Sequence, residues 1–520
     1  MKKLTAIILI VCTITGIHAQ SKSGVESISL QEIKQHLEFL ASDGMLGRDT
    51  PSPELDSCAR YIVDEFKSYG CKPIQDNSYF QYFNVTKNSL SEPNMFKLIT
   101  GNDTINYKIK HDFVPIYLTA NRTVTAPVVF AGYGITAPEY NYDDYANIDA
   151  EGKIVFIFTN EPQENDSSSV FEGADDTDYS KILTKTLNAI NHGAVGVVLV
   201  TAPNHLFRRP PNPWPSLLRH QVEDAVPLSL EEKTENKTVA MRVGKKLAET
   251  IISSTGKTMK QLQHSLDSTL KPVSQPIPGI KISMQTNLEF DKQPTRNVCG
   301  ILEGNDPKLK QEYIVIGAHY DHLGARNDTI IFNGADDNAS GTVGVLTLAE
   351  AFSQQNHKRS LLFCTWAGEE KGLFGSRYYV NSAPLIPLEK TITYINLDMI
   401  GRNDSSWVKC SGIHSSPCFA AMIEEYRKKT GLEVDERKDV SRSDHVPFYT
   451  KKIPVLGLFT GFHEDYHKPT DTIEKCSMEG MEQICRFVYY ITKDLADREK
   501  TPLFSEMEKE ENGKQVQTMN

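Results

Sequence analysis

The sequence has no two cysteines at CxxC spacing, no surplus of basic residues and no internal repeat. Beyond its amino end it also has no apolar run near the ~18 residues that cross a bilayer. Each absence narrows the reading. Cys58, Cys71, Cys299, Cys364, Cys410, Cys418, Cys476 and Cys485 are scattered, which excludes a thiolate zinc site and a dense disulfide scaffold. An oxidising compartment leaves room for one or two bridges, with Cys410–Cys418 as one pairing. A formal net charge of -11 excludes the basic face of a nucleic-acid binder, so no nucleic-acid partner is expected.

What is present begins with "MKKLTAIILIVCTITGIHAQ". Two lysines precede an apolar stretch from Leu4 to about Ile17, and small Ala19 offers a cleavage point. This is signal-peptide architecture, too short to span a membrane. Residues 1–19 are therefore expected to direct export, to the periplasm or outside the cell, of a chain with no membrane span. Its 39% hydrophobic and 24% charged residues suit globular domains.

Ser29 and Glu32 have capping-box spacing ahead of Ile33, Leu37 and Leu40 on one helical face. A second helix is predicted from "SPEL", with Pro53 in its first turn and Leu55, Ala59, Ile62, Val63 and Phe66 as its apolar stripe. Between 120 and 272 the texture changes to short β-rich runs such as "APVVFAGYGI" and "GAVGVVLV", with one helical stretch, "YSKILTKTLNAINHG". No cluster of metal ligands or nucleophiles falls there, so 120–272 reads as an inserted, non-catalytic β-rich domain. "PVSQPIPG" (272–279) reads as its exit linker. The flanks, 25–115 and 280–498, form one split domain, and polar 501–520 forms a flexible tail.

The second flank is α/β in pattern. "EYIVIGA", "SLLFCTWAG", "TITYINL" and "IPVLGLF" fit buried strands of a mainly parallel mixed sheet with helices on both faces. Each run leads to a residue able to hold a metal: His319 with Asp321, Glu369 with Glu370, Asp398, and His463 with His467. Ligands in open α/β sheets gather beyond the strands' carboxyl ends. A fifth segment, "NGADDNASG", adds Asp336 and Asp337. Taken singly, each residue has an ordinary reading as a strand-end histidine, a helix cap or a solvated first turn. Together they form a cysteine-free set of imidazoles and carboxylates, which suits zinc and also accepts manganese or cobalt. One aspartate of the pair would bridge two dications.

"GAHYDHLG", "NGADDNASG", "WAGEEKGLFGS", "INLDMIGR", "SDHVPF" and "DYHKPTDT", in that order, resemble metallopeptidase family twenty-eight, the co-catalytic di-zinc aminopeptidases. "HLEFLASDGMLGRDT" resembles the family's opening helix, and the central segment resembles its protease-associated insertion. The resemblance implies a zinc exopeptidase fold and two Zn2+ ions per chain. His319, Asp336 and Asp398 would hold one ion; Asp336, Glu370 and His467 would hold the other, with Asp336 as the bridge. Asp321 would orient His319, and Asp337 would follow a cis peptide bond that aims Asp336. Glu369 would be the general base toward a water shared by ions about 3.5–4 Å apart. Tyr466 would hydrogen-bond the developing oxyanion or simply pack. Ser443, Asp444 and His445 would line the substrate site or brace the last strand. Arg402 would meet a substrate carboxylate or form a structural ion pair.

The implied activity is removal of amino-terminal residues from peptide or protein substrates. A carboxypeptidase or other amide hydrolase on the same metals is the second reading. A non-catalytic, receptor-like binding protein is the third, and the full set of expected ligands speaks against it. Glutaminyl cyclisation on a single zinc is disfavoured for the same reason.

Overall fold

The computed structural model describes residues 24–505 except 76, 117–118, 167, 172, 174–176, 206–224, 231–237, 327–328, 405, 438–439 and 441. The expected leader, 1–19, and residues 506–520 of the expected tail lie outside the described residues. Two compact units result. One comprises the described residues of Met1–Phe83 and Thr295–Met507, the other Asn84–Pro294.

The first unit opens with helix α1 (Leu30–Leu40). The Ser29 hydroxyl accepts from the Glu32 amide at 3.4 Å and donates to the Glu32 carboxylate at 3.1 Å, which satisfies a free first-turn donor. Ile33, Leu37 and Leu40 are buried. Helix α2 (Pro53–Ser68) starts in the same way: Ser52 accepts from the Leu55 amide at 3.0 Å and Pro53 occupies the first turn. Its predicted stripe is buried throughout.

Strands β1 (Phe80–Leu90), β2 (Leu288–Leu302), β3 (Tyr313–His319), β4 (Ser360–Trp366), β5 (Thr391–Leu397), β6 (Trp407–Ser411), β7 (Glu433–Arg437) and β8 (Val455–Phe459) lie in the order β1-β2-β4-β3-β5-β8-β6-β7. Strands β4, β3, β5 and β8 are parallel neighbours, whereas β2 and β6 join antiparallel. Every residue of β4 and β5 is buried, as in a parallel sheet covered on both faces. Helix α3 (Gly341–Ser353) packs on one face, where Gly344 leaves no room for a Cβ beside Leu397. Phe66 of α2 meets Phe363 on that same face. Trp366 and Tyr394 point the other way, against Tyr379 of α4 (Phe374–Asn381) and Phe448 of α5 (His445–Thr450). The expected mixed α/β fold is present.

The second unit holds an eight-stranded sheet whose strands 123–130, 154–158, 196–200 and 239–243 are parallel neighbours. Among its described residues, three helices, Ile182–Asn191, Lys245–Ser253 and Met259–Thr269, make it α/β where a β-rich domain with one helix was expected. The stripe of Leu247, Ala248, Ile251 and Ile252 carries the helical period in the sequence and is buried here. The unit is also wider than 120–272. Strands Met95–Thr100 and Asp103–Tyr107, expected with the peptidase half, pair into this sheet. The supposed exit linker contributes to strand Gln275–Gln285, whose register shifts between Ile277 and Lys281. Pro278 and Gly279 fall at that shift, the place where a strand tolerates them.

All eight described cysteines are free, so the Cys410–Cys418 pairing is not present. Cys410 is buried on β6, and the Cys418 thiol faces the Ser416 hydroxyl at 3.5 Å. Among the described residues, no helix is long and apolar enough to cross a membrane.

Candidate metal centre

Because β3, β4, β5 and β8 are parallel, their carboxyl ends share one edge of the sheet. His319 is the last residue of β3, Glu369 and Glu370 follow β4, Asp398 follows β5, and His467 lies beyond β8. Asp336 and Asp337 enter from the turn that precedes α3. Glycine is needed there twice. A Cβ on Gly334, at φ +57°, would meet the Asp337 carbonyl at 2.2 Å, and one on Gly341 would meet the Leu397 carbonyl at 2.2 Å.

Two donor groups result. His319 Nε2 lies 3.3 Å from Asp398 Oδ1, 3.5 Å from Asp337 Oδ1 and 3.9 Å from Glu369 Oε2. His467 Nε2 lies 3.1 Å from Asp337 Oδ2 and 3.2 Å from Glu370 Oε2. His322 Nδ1 joins the second group, 2.7 Å from Glu370 Oε1 and 3.8 Å from Asp337 Oδ2. Asp337 thus turns one oxygen toward each group.

That corrects the expectation for Asp336. Its Oδ2 lies 3.1 Å from His463 Nε2, while its Oδ1 accepts from the Gly401 amide at 2.6 Å and the Ser340 hydroxyl at 3.2 Å. Asp337 has non-helical backbone angles, so the two carboxylates diverge and only the second faces the centre. The cis peptide bond joins Asp337 to Asn338, one position later than expected.

The remaining expected residues are placed as follows. Asp321 is buried, accepts from the Glu369 amide at 3.2 Å, and has Oδ1 3.7 Å from His319 Nδ1. Its carbonyl oxygen is nearer that nitrogen, at 3.2 Å. The Tyr466 ring stacks on His467 with centroids 3.8 Å apart and lines a cavity of about 530 Å³ over the centre. Ser443 and His445 also line this cavity. Asp444 does not; it accepts from the Ser376 hydroxyl at 2.5 Å. Arg402 forms a structural ion pair with Asp471 (3.0 Å) and Asp465 (3.3 Å).

The electrostatics mark a place for positive charge. Burial pushes the Glu369 carboxyl well above its ordinary range, and the nearby Asp398 and Glu370 carboxylates add to this. Burial likewise raises Asp337 to about 6, and Glu370 adds to it. Burial works against charge on His319, yet Glu369 and Asp398 outweigh it and hold the imidazole well above its usual value. Glu370 is the exception: burial disfavours its charge, but hydrogen bonds from His322 and His467 hold it well below the carboxylate range. Carboxylates that repel so strongly, interleaved with imidazoles and free of thiolates, fit borderline dications.

Residues 297–492 match the family model described as Peptidase family M28. Leucine aminopeptidase 2 of Trichophyton rubrum is 27% identical over 246 residues, covering 42% of this chain and 48% of its own length. Aminopeptidase YwaD of Bacillus subtilis is 29% identical over 226 residues, covering 41% and 47%. Over residues 297–492 the chain is similar to peptidase family M28. It spans about half the length of the curated relatives it matches. An aminopeptidase from Aneurinibacillus sp. strain AM-1 shares the fold, with a TM-score of 0.57 at 21% identity over 93% of this chain and 97% of the other.

Three features of this site escaped the sequence reading. His322 is the first; its only signal is a second histidine three residues after His319. Asp471 is the second: its Oδ2 accepts from both the Asp336 and Asp337 amides, at 3.1 and 3.0 Å, while Arg402 holds its Oδ1. Arg48 is the third. Its guanidinium is fully buried and donates to the carbonyls of Leu40, Tyr320, Asn333 and Gly334. It thereby ties the segment after β3 to the aspartate turn.

Proposed function

We propose that the chain is an exported di-zinc aminopeptidase that hydrolyses the amino-terminal peptide bond of its substrates. The observation that carries this reading is Asp337, with Oδ1 toward His319 and Oδ2 toward His467. His319, Asp337 and Asp398 would hold one ion, and Asp337, Glu370 and His467 the other, with His322 bracing Glu370. Two zinc ions bound there supply Lewis acidity to a carbonyl and ease the ionisation of water. Glu369 is set beside the first group but makes no closer approach to His319 than 3.9 Å. Its raised proton affinity suits a base that takes a proton from water and returns it to the departing amine. Tyr466, lining the cavity beside His467, offers a hydroxyl to the developing oxyanion. Asp321 faces the His319 imidazole with its carbonyl oxygen and accepts from the Glu369 amide, and so positions both. The fungal and bacterial relatives are themselves named aminopeptidases. The lysine-led apolar leader supports export. The second unit we read as the family's protease-associated insertion, with no part in the chemistry.

The test is hydrolysis of leucine anilide and its N-acetylated form by the zinc-loaded protein. Cleavage of the free-amine substrate alone, lost on chelation and regained with zinc, is the expected result. Cleavage of the blocked substrate would defeat the aminopeptidase reading.

A further inference from the structure

The cavity over the centre is two-sided in charge. Among the described residues, its carboxylates are Asp337, Glu369, Glu370 and Asp398, all gathered at the metal-centre end. The wall beyond carries Lys409 and Arg442. Lys409 sits on β6, where alternation sends Val408 and Cys410 into the core and leaves Lys409 and Ser411 facing the cavity. Its ammonium lies 5.4 Å from the Trp407 ring centroid and 6.0 Å from that of Phe459, its cross-strand partner. The Arg442 guanidinium lies 5.4 Å from the Phe462 ring. Among the described residues, neither cation forms an ion pair with a carboxylate, and Phe459 beside Lys409 and Phe462 beside Arg442 also line the cavity. Cations held on a cavity wall without an acidic partner form a carboxylate receptor, and Phe459 and Leu458 give an aliphatic stem an apolar surface.

We propose that Lys409 and Arg442 make this cavity selective for a substrate that carries a carboxylate, foremost the acidic side chain of an amino-terminal residue. The inference rests on the aminopeptidase reading and names its substrate class. A substrate's free amine would face the carboxylate end of the cavity while its own carboxylate meets the cationic wall. The carboxylate of a very short peptide's carboxyl terminus is the same chemistry from another source.

The experiment compares kcat and KM of the zinc-loaded enzyme on two matched pairs. Glutamyl against glutaminyl anilide tests the side chain, since the two differ almost only in charge. Leucyl-leucine against its carboxyl-terminal amide tests the chain end. A charge-assisted contact predicts a preference of about tenfold or more for the acid in kcat/KM, carried by KM. A preference within the first pair assigns the side chain, and one confined to the second assigns the chain end. Lys409→Met and Arg442→Met should each shrink the preference. Lys409→Glu should raise turnover of lysyl anilide, a gain that a purely structural role would not produce. Cleavage of leucine anilide with both ratios near one, in the enzyme and its variants alike, overturns the inference and leaves the aminopeptidase reading standing. Failure to cleave any of these substrates overturns both.

Discussion

At the scale of single residues, function turns on how neighbouring carboxylates divide their tasks. Glu369 and Glu370 are adjacent, yet Glu370 is drawn to His322 and His467 while Glu369 keeps a high proton affinity. Replacing Glu369 with Gln removes the proposed base and keeps the shape. Turnover of an aminoacyl anilide should fall roughly a hundred- to ten-thousandfold, with metal content by plasma emission spectroscopy unchanged. Unaltered turnover would take Glu369 out of the mechanism. The aspartate pair divides in the same manner. Asp337→Asn should lower bound metal and activity together, because each oxygen serves a different group. Asp336→Asn should retain metal, since its partners are His463, Gly401 and Ser340. Metal loss in the Asp336 variant alone would restore the original expectation of Asp336 as the bridge.

Elements position these residues through a few buried clamps. Strand ends deliver His319, Glu369 and Asp398, but the aspartate turn has no strand to hold it. Arg48 and Asp471 serve instead, the one binding carbonyls before the turn and the other amides within it. Arg48→Met would leave four buried carbonyls without their donor. A loss of about 3 kcal/mol or more is expected in urea denaturation, accompanied by weaker metal retention. Arg48→Lys should recover little, because an ammonium cannot reproduce the planar fork. A neutral result for Arg48→Met would mean that water readily replaces the guanidinium.

Across the whole molecule, packing brings together charges that lie far apart along the chain. Glu350 of α3 stands beside Glu32 of α1 and Glu65 of α2; burial, then the Glu32 hydrogen bond and charge, push it up to about 8. A carboxyl raised in the folded state keeps its proton there while the unfolded chain, near 4.5, has lost it. Folding therefore binds a proton within that window, and stability should decline as pH rises from about 4.5 to about 8, then level. Glu350→Gln should flatten the decline and give a higher Tm than the parent at pH 9. An equal slope in both proteins would show that Glu350 ionises normally. Local patterning was enough to make β3, β4, β5 and β8, the first two helices and most residues of the candidate centre legible, because strand runs, caps and strand-end polar residues are written in short stretches of sequence. The helices at 245–253 and 259–269 carried their local signals, a buried stripe and a capping box, and were passed over; the true width of the second unit and the places of His322, Asp471 and Arg48 were not legible, because each depends on what a distant segment brings alongside. The sequence by itself determined which residue types gather at the edge of a parallel sheet. Only the tertiary structure decided that Asp337, not Asp336, stands between the two groups, since adjacent side chains diverge according to backbone angles set by Asp471, Gly334 and Gly341.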